Sequence, residues 1–272
     1  MKHTFNLLIA MLCIVHLTHG QIGNYTMGAR SASLAGSSVT LMDQWSSFNN
    51  IGALSYVEDI NIFATYKNLY GLPELSSMAV GVTLPVWIGT ATLGAYRFGG
   101  DLLNDHRVHA GFSNRFGIVS LGANFSYFQL NIEGGGTQTN FLFDFGGHAK
   151  LSEQFYFGAH ISNVNQAKLS DLTGEKISTI MKTGLSYRPN EHLMINSEIE
   201  KSIDDDFRIK IGIEYEIINS VFARTGILTS PFNSNFGIGF EPGQISVDYA
   251  FGMHQDLGDF HQFSFTYRIS KK

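Results

Sequence analysis

The chain has 272 residues, a formal net charge of -5, 44% hydrophobic residues and only 15% charged ones, below the roughly 25% usual in soluble domains. No stretch beyond residue 20 approaches the run of about 20 apolar residues that a transmembrane helix requires, and the acidic balance excludes a basic nucleic-acid-binding face. Apolar character without a helical span leaves a large soluble β protein or a membrane β-barrel, whose apolar residues fall on alternate positions. The 29 Gly, 22 Phe and 11 Tyr against 5 Pro point to β structure rich in aromatics and turns.

Residues 1–20 read as a signal peptide: Lys2 supplies the basic start, Phe5 to Leu17 a short apolar run, and cleavage is expected between Gly20 and Gln21. The single cysteine, Cys13, lies inside this segment, so a mature chain has neither a disulfide scaffold nor a thiolate nucleophile. Cleavage removes one lysine and no acid, taking the net charge from -5 to -6. Residues 21–58 are rich in Gly, Ala and Ser and lack alternation; residues 59–272 alternate almost throughout.

Fourteen alternating runs follow in chain order, near 60–67, 76–87, 90–98, 105–115, 118–130, 139–150, 154–163, 178–188, 192–201, 206–216, 219–228, 233–241, 244–253 and 260–270. The clearest places Phe207, Ile209, Ile211, Ile213 and Tyr215 on one face against Arg208, Lys210, Gly212, Glu214 and Glu216 on the other, because successive side chains of a strand point to opposite faces. Ile245, Val247, Tyr249, Phe251 and Met253 form a similar face, as do Phe263, Phe265, Tyr267 and Ile269. Most runs exceed the usual soluble strand and suit the 9–11 residues a tilted membrane strand needs. The expected fold is an all-β, transmembrane antiparallel β-barrel of about 14 strands. An even strand count puts both ends of the barrel wall on one side. Connections on that side, such as 87–89, 115–117 and 217–218, are short. Those on the other, near 68–75, 99–104, 131–138, 164–177, 202–205, 229–232 and 254–259, are expected to be longer, as outer loops are.

No catalytic, cofactor or metal site is expected. His106 and His109 are an odd spacing apart and point to opposite faces, while His148 and His160 face inward on adjacent strands without a third ligand. Asp204-Asp205-Asp206 lacks the spaced ligands of a calcium loop, Gly134-Gly135-Gly136 is followed by no Lys-Ser/Thr or helix, and no G-x-S-x-G elbow occurs. Arg107, Lys182, Lys210, Arg224, Asp144, Glu198, Glu200, Glu214 and Asp248 are among the charges expected to face inward, where mixed signs can pair. Phe63, Phe98, Phe128, Leu130 and Phe222 are the candidates to line an apolar interior.

The segment after the signal carries Gly28-Ala29-Arg30, then Gly36, Asp43, and Asn49-Asn50-Ile51-Gly52-Ala53-Leu54. Over about 30 residues it resembles the start of FadL-like outer-membrane proteins, especially the PorV/PorQ branch of Bacteroidetes, with Ala35 and Ile51 replacing a Gly and a Pro of that pattern and Gly52-Ala53 inverted. The resemblance implies an N-terminal hatch, residues 21–58, seated in the lumen, with Gly28, Ala29, Arg30, Gly36, Asp43, Asn49, Asn50, Gly52 and Leu54 as its motif, and a bacterial outer-membrane location. It implies two functions. One is an accessory component of type IX protein secretion or a related outer-membrane complex, with secretion components or cargo proteins as partners. The alternative is FadL-like passive transport of hydrophobic small molecules, with such a ligand in the lumen. Outer-membrane lipid is a partner in both. An enzyme would need a converging catalytic set, and none is identifiable.

Overall fold

A computed structural model describes residues 26–169, 176–203, 206–254 and 258–269. The expected signal peptide, residues 21–25 of the expected hatch and Asp204-Asp205 lie outside the described residues. Fourteen antiparallel strands close into a barrel in which each strand pairs with its sequence neighbours and β1 (Ile60–Leu69) pairs with β14 (Gly258–Ile269). Between them run β2 (Leu72–Val86), β3 (Gly89–Gly99), β4 (Leu103–Phe116), β5 (Val119–Ile132), β6 (Gly136–Lys150) and β7 (Phe155–Ser162). The other half comprises β8 (Ile180–Tyr187), β9 (Leu193–Ser202), β10 (Arg208–Ile218), β11 (Val221–Thr229), β12 (Phe232–Phe240) and β13 (Ile245–His254). Closure removes the unpaired edge that a membrane would penalise.

Every expected run is a strand, and the alternation sets its faces. In β10, Ile209, Ile211, Ile213 and Tyr215 are exposed on the outer wall while Lys210 and Glu214 are buried inside. A soluble protein rarely exposes so continuous an apolar surface; here it is the lipid-facing wall of a transmembrane barrel.

The connections depart from expectation. β1 and β2 pair to their ends, so the expected loop at 68–75 is only the turn Tyr70–Gly71, whose φ values of 59° and 70° fit a tight hairpin of the type favoured by strand twist. The ends at 100–102, 133–135 and 230–231 are equally brief. The expected length asymmetry therefore reduces to one connection, residues 163–179 between β7 and β8. Long strands absorbed residues that composition alone had placed in loops, Gly136 among them, because each added ladder pair satisfies backbone groups that a loop leaves to solvent.

Candidate functional site

The barrel encloses the N-terminal segment. It forms two short helical turns, α1 (Ala29–Ser33) and α2 (Ser46–Asn49), and a 3-10 turn over Ile51–Tyr56. Small residues let it lie close against the wall. A Cβ on Gly52 would sit 2.5 Å from the carbonyl carbon of Gly146 in β6, and one on Gly226 of β11 would sit 2.3 Å from that of Leu34. Gly158, Gly184 and Gly212 make similar approaches. These inward glycines are part of the site, and of them the sequence predicts only Gly52 there, through the motif.

Each residue of the expected motif has a definite place. Gly28 adopts φ 94°, and a Cβ there would meet the Trp45 ring at 2.6 Å, so both conformation and space demand glycine. The Ala29 N–H donates to Ser264 Oγ of β14 at 2.7 Å. Arg30 donates to Glu214 of β10 at 2.7 and 2.5 Å and to Asp43 at 3.2 Å. Gly36 turns the chain at φ 76°. Asp43 accepts the Trp45 N–H at 2.9 Å. Asn49 bonds both backbone groups of Met27, accepting at 2.8 Å and donating at 2.9 Å. Asn50 donates to Val39 O at 2.6 Å and to Gly147 O at 3.1 Å. The Gly52 carbonyl accepts from Ser113 Oγ at 3.0 Å and also from Ser120 Oγ. Leu54 packs with Ile51 and Val57. The motif thus contacts the wall on several sides rather than converging on one point.

Opposed to α1, the wall carries a network of buried ions. Lys210 Nζ bridges Glu198 and Glu200 at 2.9 and 2.6 Å. The second oxygen of Glu198 accepts the N–H groups of Ser38 and Val39, both at 2.8 Å. Arg224 joins Glu214 at 2.6 Å to Asp248 at 2.5 Å. The chain Arg30–Glu214–Arg224–Asp248 is continuous, and Arg107 of β4 pairs with Asp144 of β6 over the intervening β5. The nine inward charges named above are paired, which compensates burial that isolated ions would not survive; Arg115 and Arg188, also expected inward, lie over the rings of Tyr56 and Tyr156 instead. Burial opposes the charge on Arg30, yet Glu214 and Asp43 together raise its pKa well above the usual value. Burial pushes the Asp43 carboxyl up from the ordinary range, against Arg30.

The other half of the lumen is apolar. Phe63, Ala79, Tyr96, Phe128, Leu130 and Leu142 project inward from β1, β2, β3, β5 and β6. Met27 and Trp45 of the N-terminal segment are buried in the same cluster, with Phe48 packed against it. Trp45 meets Phe63 edge-on at 4.8 Å. At the far end, the described residues of the connection between β7 and β8 reach the cluster: Ile177 is buried in it, and Ala167 and Leu169 lie against it. Asn163 holds these residues, donating to Ile177 O at 2.7 Å and accepting from the Ala167 N–H at 3.0 Å; its own N–H donates to Asp144 at 2.9 Å. Four of the five expected liners, Phe63, Phe98, Phe128 and Leu130, meet here. Phe222 does not: it sits under Arg224, 5.4 Å from its guanidinium, and faces a polar cavity of about 590 Å³. Trp45, Phe48 and Ile177 were missed, since they lie in segments without strand periodicity.

Trp45 also borders a second polar cavity of about 280 Å³ at the end where the wall begins and finishes, lined by Arg30, Asp43, Tyr56, Asn61, Glu241 and Asp248 among others. Trp45 Nε1, Tyr56 Oη and Asn61 Oδ1 are buried there without hydrogen-bond partners. Trp45 thus lies between the apolar cluster and a polar vestibule. Among the described residues, no group of three or more His, Asp or Glu side chains is arranged to hold a metal ion. His109, His148 and His160 are buried on the lumen side but do not come together as a ligand set.

No protein-family model and no curated protein matches the chain. Solved structures do match in shape. A FadL homologue of Pseudomonas aeruginosa aligns with TM-score 0.69 and 12% identity over 91% of this chain and 99% of its own. The monoaromatic hydrocarbon channel CymD aligns with TM-score 0.67 and 10% identity over 90% and 98%. The P. putida toluene transporter TodX aligns with TM-score 0.65 and 12% identity over 90% and 99%. At these identities the likeness concerns the fold alone: this chain has the closed antiparallel barrel of these three structures.

Proposed function

We propose that this protein is a passive outer-membrane channel for small hydrophobic molecules. The observation that carries the proposal is the apolar cluster of buried side chains inside the barrel. Inward positions of a water-filled barrel are polar, whereas here aromatic and aliphatic side chains from five strands, two segment residues and Ile177 of the β7–β8 connection converge. Burial of apolar surface, about 25 cal/mol per Å², is the affinity such a cluster offers, and it discriminates little among hydrophobic shapes. A solute entering at the far end displaces Ile177 and Leu169, parts the packed side chains Phe63, Tyr96 and Phe128, and leaves past Trp45 into the vestibule beside Arg30 and Asp43. The structural neighbours described as hydrocarbon channels and a toluene transporter support this reading. Their structures carry no such support for the secretion role suggested by the N-terminal residues.

The test uses the two tryptophans of the chain, Trp45 and Trp87. With Trp87→Phe, the fluorescence of Trp45 reports the cluster. Saturable quenching or shift by toluene or a short fatty acid, together with uptake of the same compound into proteoliposomes, is the expected result. No saturable response, and uptake equal to empty vesicles, defeats the channel reading.

A second reading, an accessory subunit of type IX secretion, is favoured by one observation: apart from 163–179, the far-end connections are short. A gentle-detergent pulldown from native membrane that returns stoichiometric secretion components would establish it in place of the channel.

A further inference from the structure

The lipid-facing wall carries a groove that neither reading uses. It lies on the outer surface across β14, β1, β2, β3 and β4, has a volume of about 650 Å³ and is almost wholly apolar. Register explains it. The outward row Phe265, Ala64, Val80, Ala95, Val108 runs across five neighbouring strands, and its two alanines leave hollows between larger side chains. Phe263, Tyr66 and Met78 form the next row toward the far end.

That second row ends in Arg97 of β3 opposite His106 of β4. Arg97 is exposed on a wall otherwise given to apolar residues, and it makes no hydrogen bond or ion pair with any described residue. A cation on the lipid face of a barrel costs about 2–4 kcal/mol at the bilayer midplane and little near the interface, so its position marks the headgroup level. Just beyond it the outward side chains form a polar belt. Asn104 bonds His106 at 3.1 Å and Asn131 at 2.8 Å, Gln129 bonds Asn131 at 3.1 Å, and Asn68 bonds Ser76 at 3.1 Å. A positive charge at the polar end and an apolar hollow extending from it toward the membrane interior form an amphipathic site in the correct order for a lipid. Its volume lies within the range of small-molecule pockets.

We propose that this groove is a specific site for an anionic lipid of the leaflet at the far barrel end, with an acyl chain over Ala64 and Ala95 and a phosphate on Arg97. Guanidinium and phosphate match in charge and fork geometry, and filling the hollow with a chain restores the dispersion contacts that a void forfeits. The site rests on the wall facing lipid and not on the channel reading.

Native mass spectrometry of the protein, released from its own membrane in mild detergent, tests this. Wild type is expected to retain one phosphate-bearing lipid. Arg97→Gln removes the charge, and Ala64→Phe or Ala95→Phe fills the hollow from the outside without entering the lumen. Each is expected to lower retention about tenfold, as loss of one charge-assisted contact would, while Ile238→Ala on another part of the wall is expected to leave it unchanged. A heat-dependent shift in gel mobility verifies that each variant is a folded barrel, and a variant that fails it is replaced by Arg97→Ala or Ala64→Leu. Equal retention by all variants means annular lipid only and overturns the site. Retention of a neutral hydrocarbon indifferent to Arg97 overturns it as well. Quenching of Trp45 is read separately, so failure here and failure of the channel are distinguishable.

Discussion

Arg30 in the N-terminal segment grips Glu214 of β10 through two parallel bonds of 2.7 and 2.5 Å, and Glu214 is held from its other side by Arg224 at 2.6 Å. The segment is thus tied to the wall by an ion that the wall already anchors. Arg30→Ala leaves Glu214 its second partner, so the loss is that of charge-assisted bonds, about 1.5–3 kcal/mol. The expected outcome is a folded barrel with higher single-channel conductance in planar bilayers. Unchanged conductance would mean that other contacts alone seat the segment.

Trp45 stands between the apolar cluster and the polar vestibule. Trp45→Ala removes a side chain that is 1% exposed, and comparable truncations cost about 3–5 kcal/mol. Uptake of hydrophobic compounds into proteoliposomes is expected to rise and its discrimination by size to fall. Trp45→Phe, which refills most of the volume, is expected to restore selectivity.

Gly52 approaches the backbone of β6 so closely that a methyl group there requires movement of either segment or wall. Gly52→Ala is expected to cost about 1–3 kcal/mol, seen as a lower urea midpoint. Gly147→Ala is the control: a Cβ there would find its nearest neighbour, the end of the Leu121 side chain, at 3.4 Å. An equal loss at both positions would deny the close approach.

Asn163 ties the described ends of the connection between β7 and β8 through bonds to Ile177 and Ala167. In Asn163→Ala the connection is expected to be nicked by protease at least about fivefold faster, following a loss on the order of 1 kcal/mol. Faster onset of Trp45 quenching would accompany it.

Burial pushes the Asp43 carboxyl up from its ordinary value despite Arg30. A raised carboxylate pKa means that the folded chain holds a proton the unfolded chain has released. The contribution of Asp43 to stability is therefore largest below the ordinary carboxylate value of about 3.9 and is lost as pH rises through the raised one. Denaturation midpoints across this acidic range are expected to fall less steeply with pH in Asp43→Asn than in wild type.

The strands were legible because alternation is a local property. Tyr215 next to Glu214 already states which side is lipid and which is lumen, and neighbouring pairs of this kind exposed the barrel and its inward charges. Leu142, between the exposed Phe141 and Phe143, lies on the inner face for the same reason. Loop lengths were not legible in the same way, because a Gly-rich stretch such as 134–136 serves a loop or a strand end, and pairing decides between them.

The amino-acid order by itself determined the fourteen strands, their two faces and their closure, since each follows from a period of two and from the cost of an unpaired edge in lipid. Only the tertiary structure decided which inward residues meet. Phe63 and Phe128 join one apolar cluster while Phe222 stands apart under Arg224, and Trp45, Phe48 and Ile177 reach that cluster from segments with no strand period. The physical reason is register and close packing. Where a side chain lands across a barrel depends on the stagger of every strand between, and where the N-terminal segment lies depends on glycines such as Gly52 and Gly226 that admit its backbone.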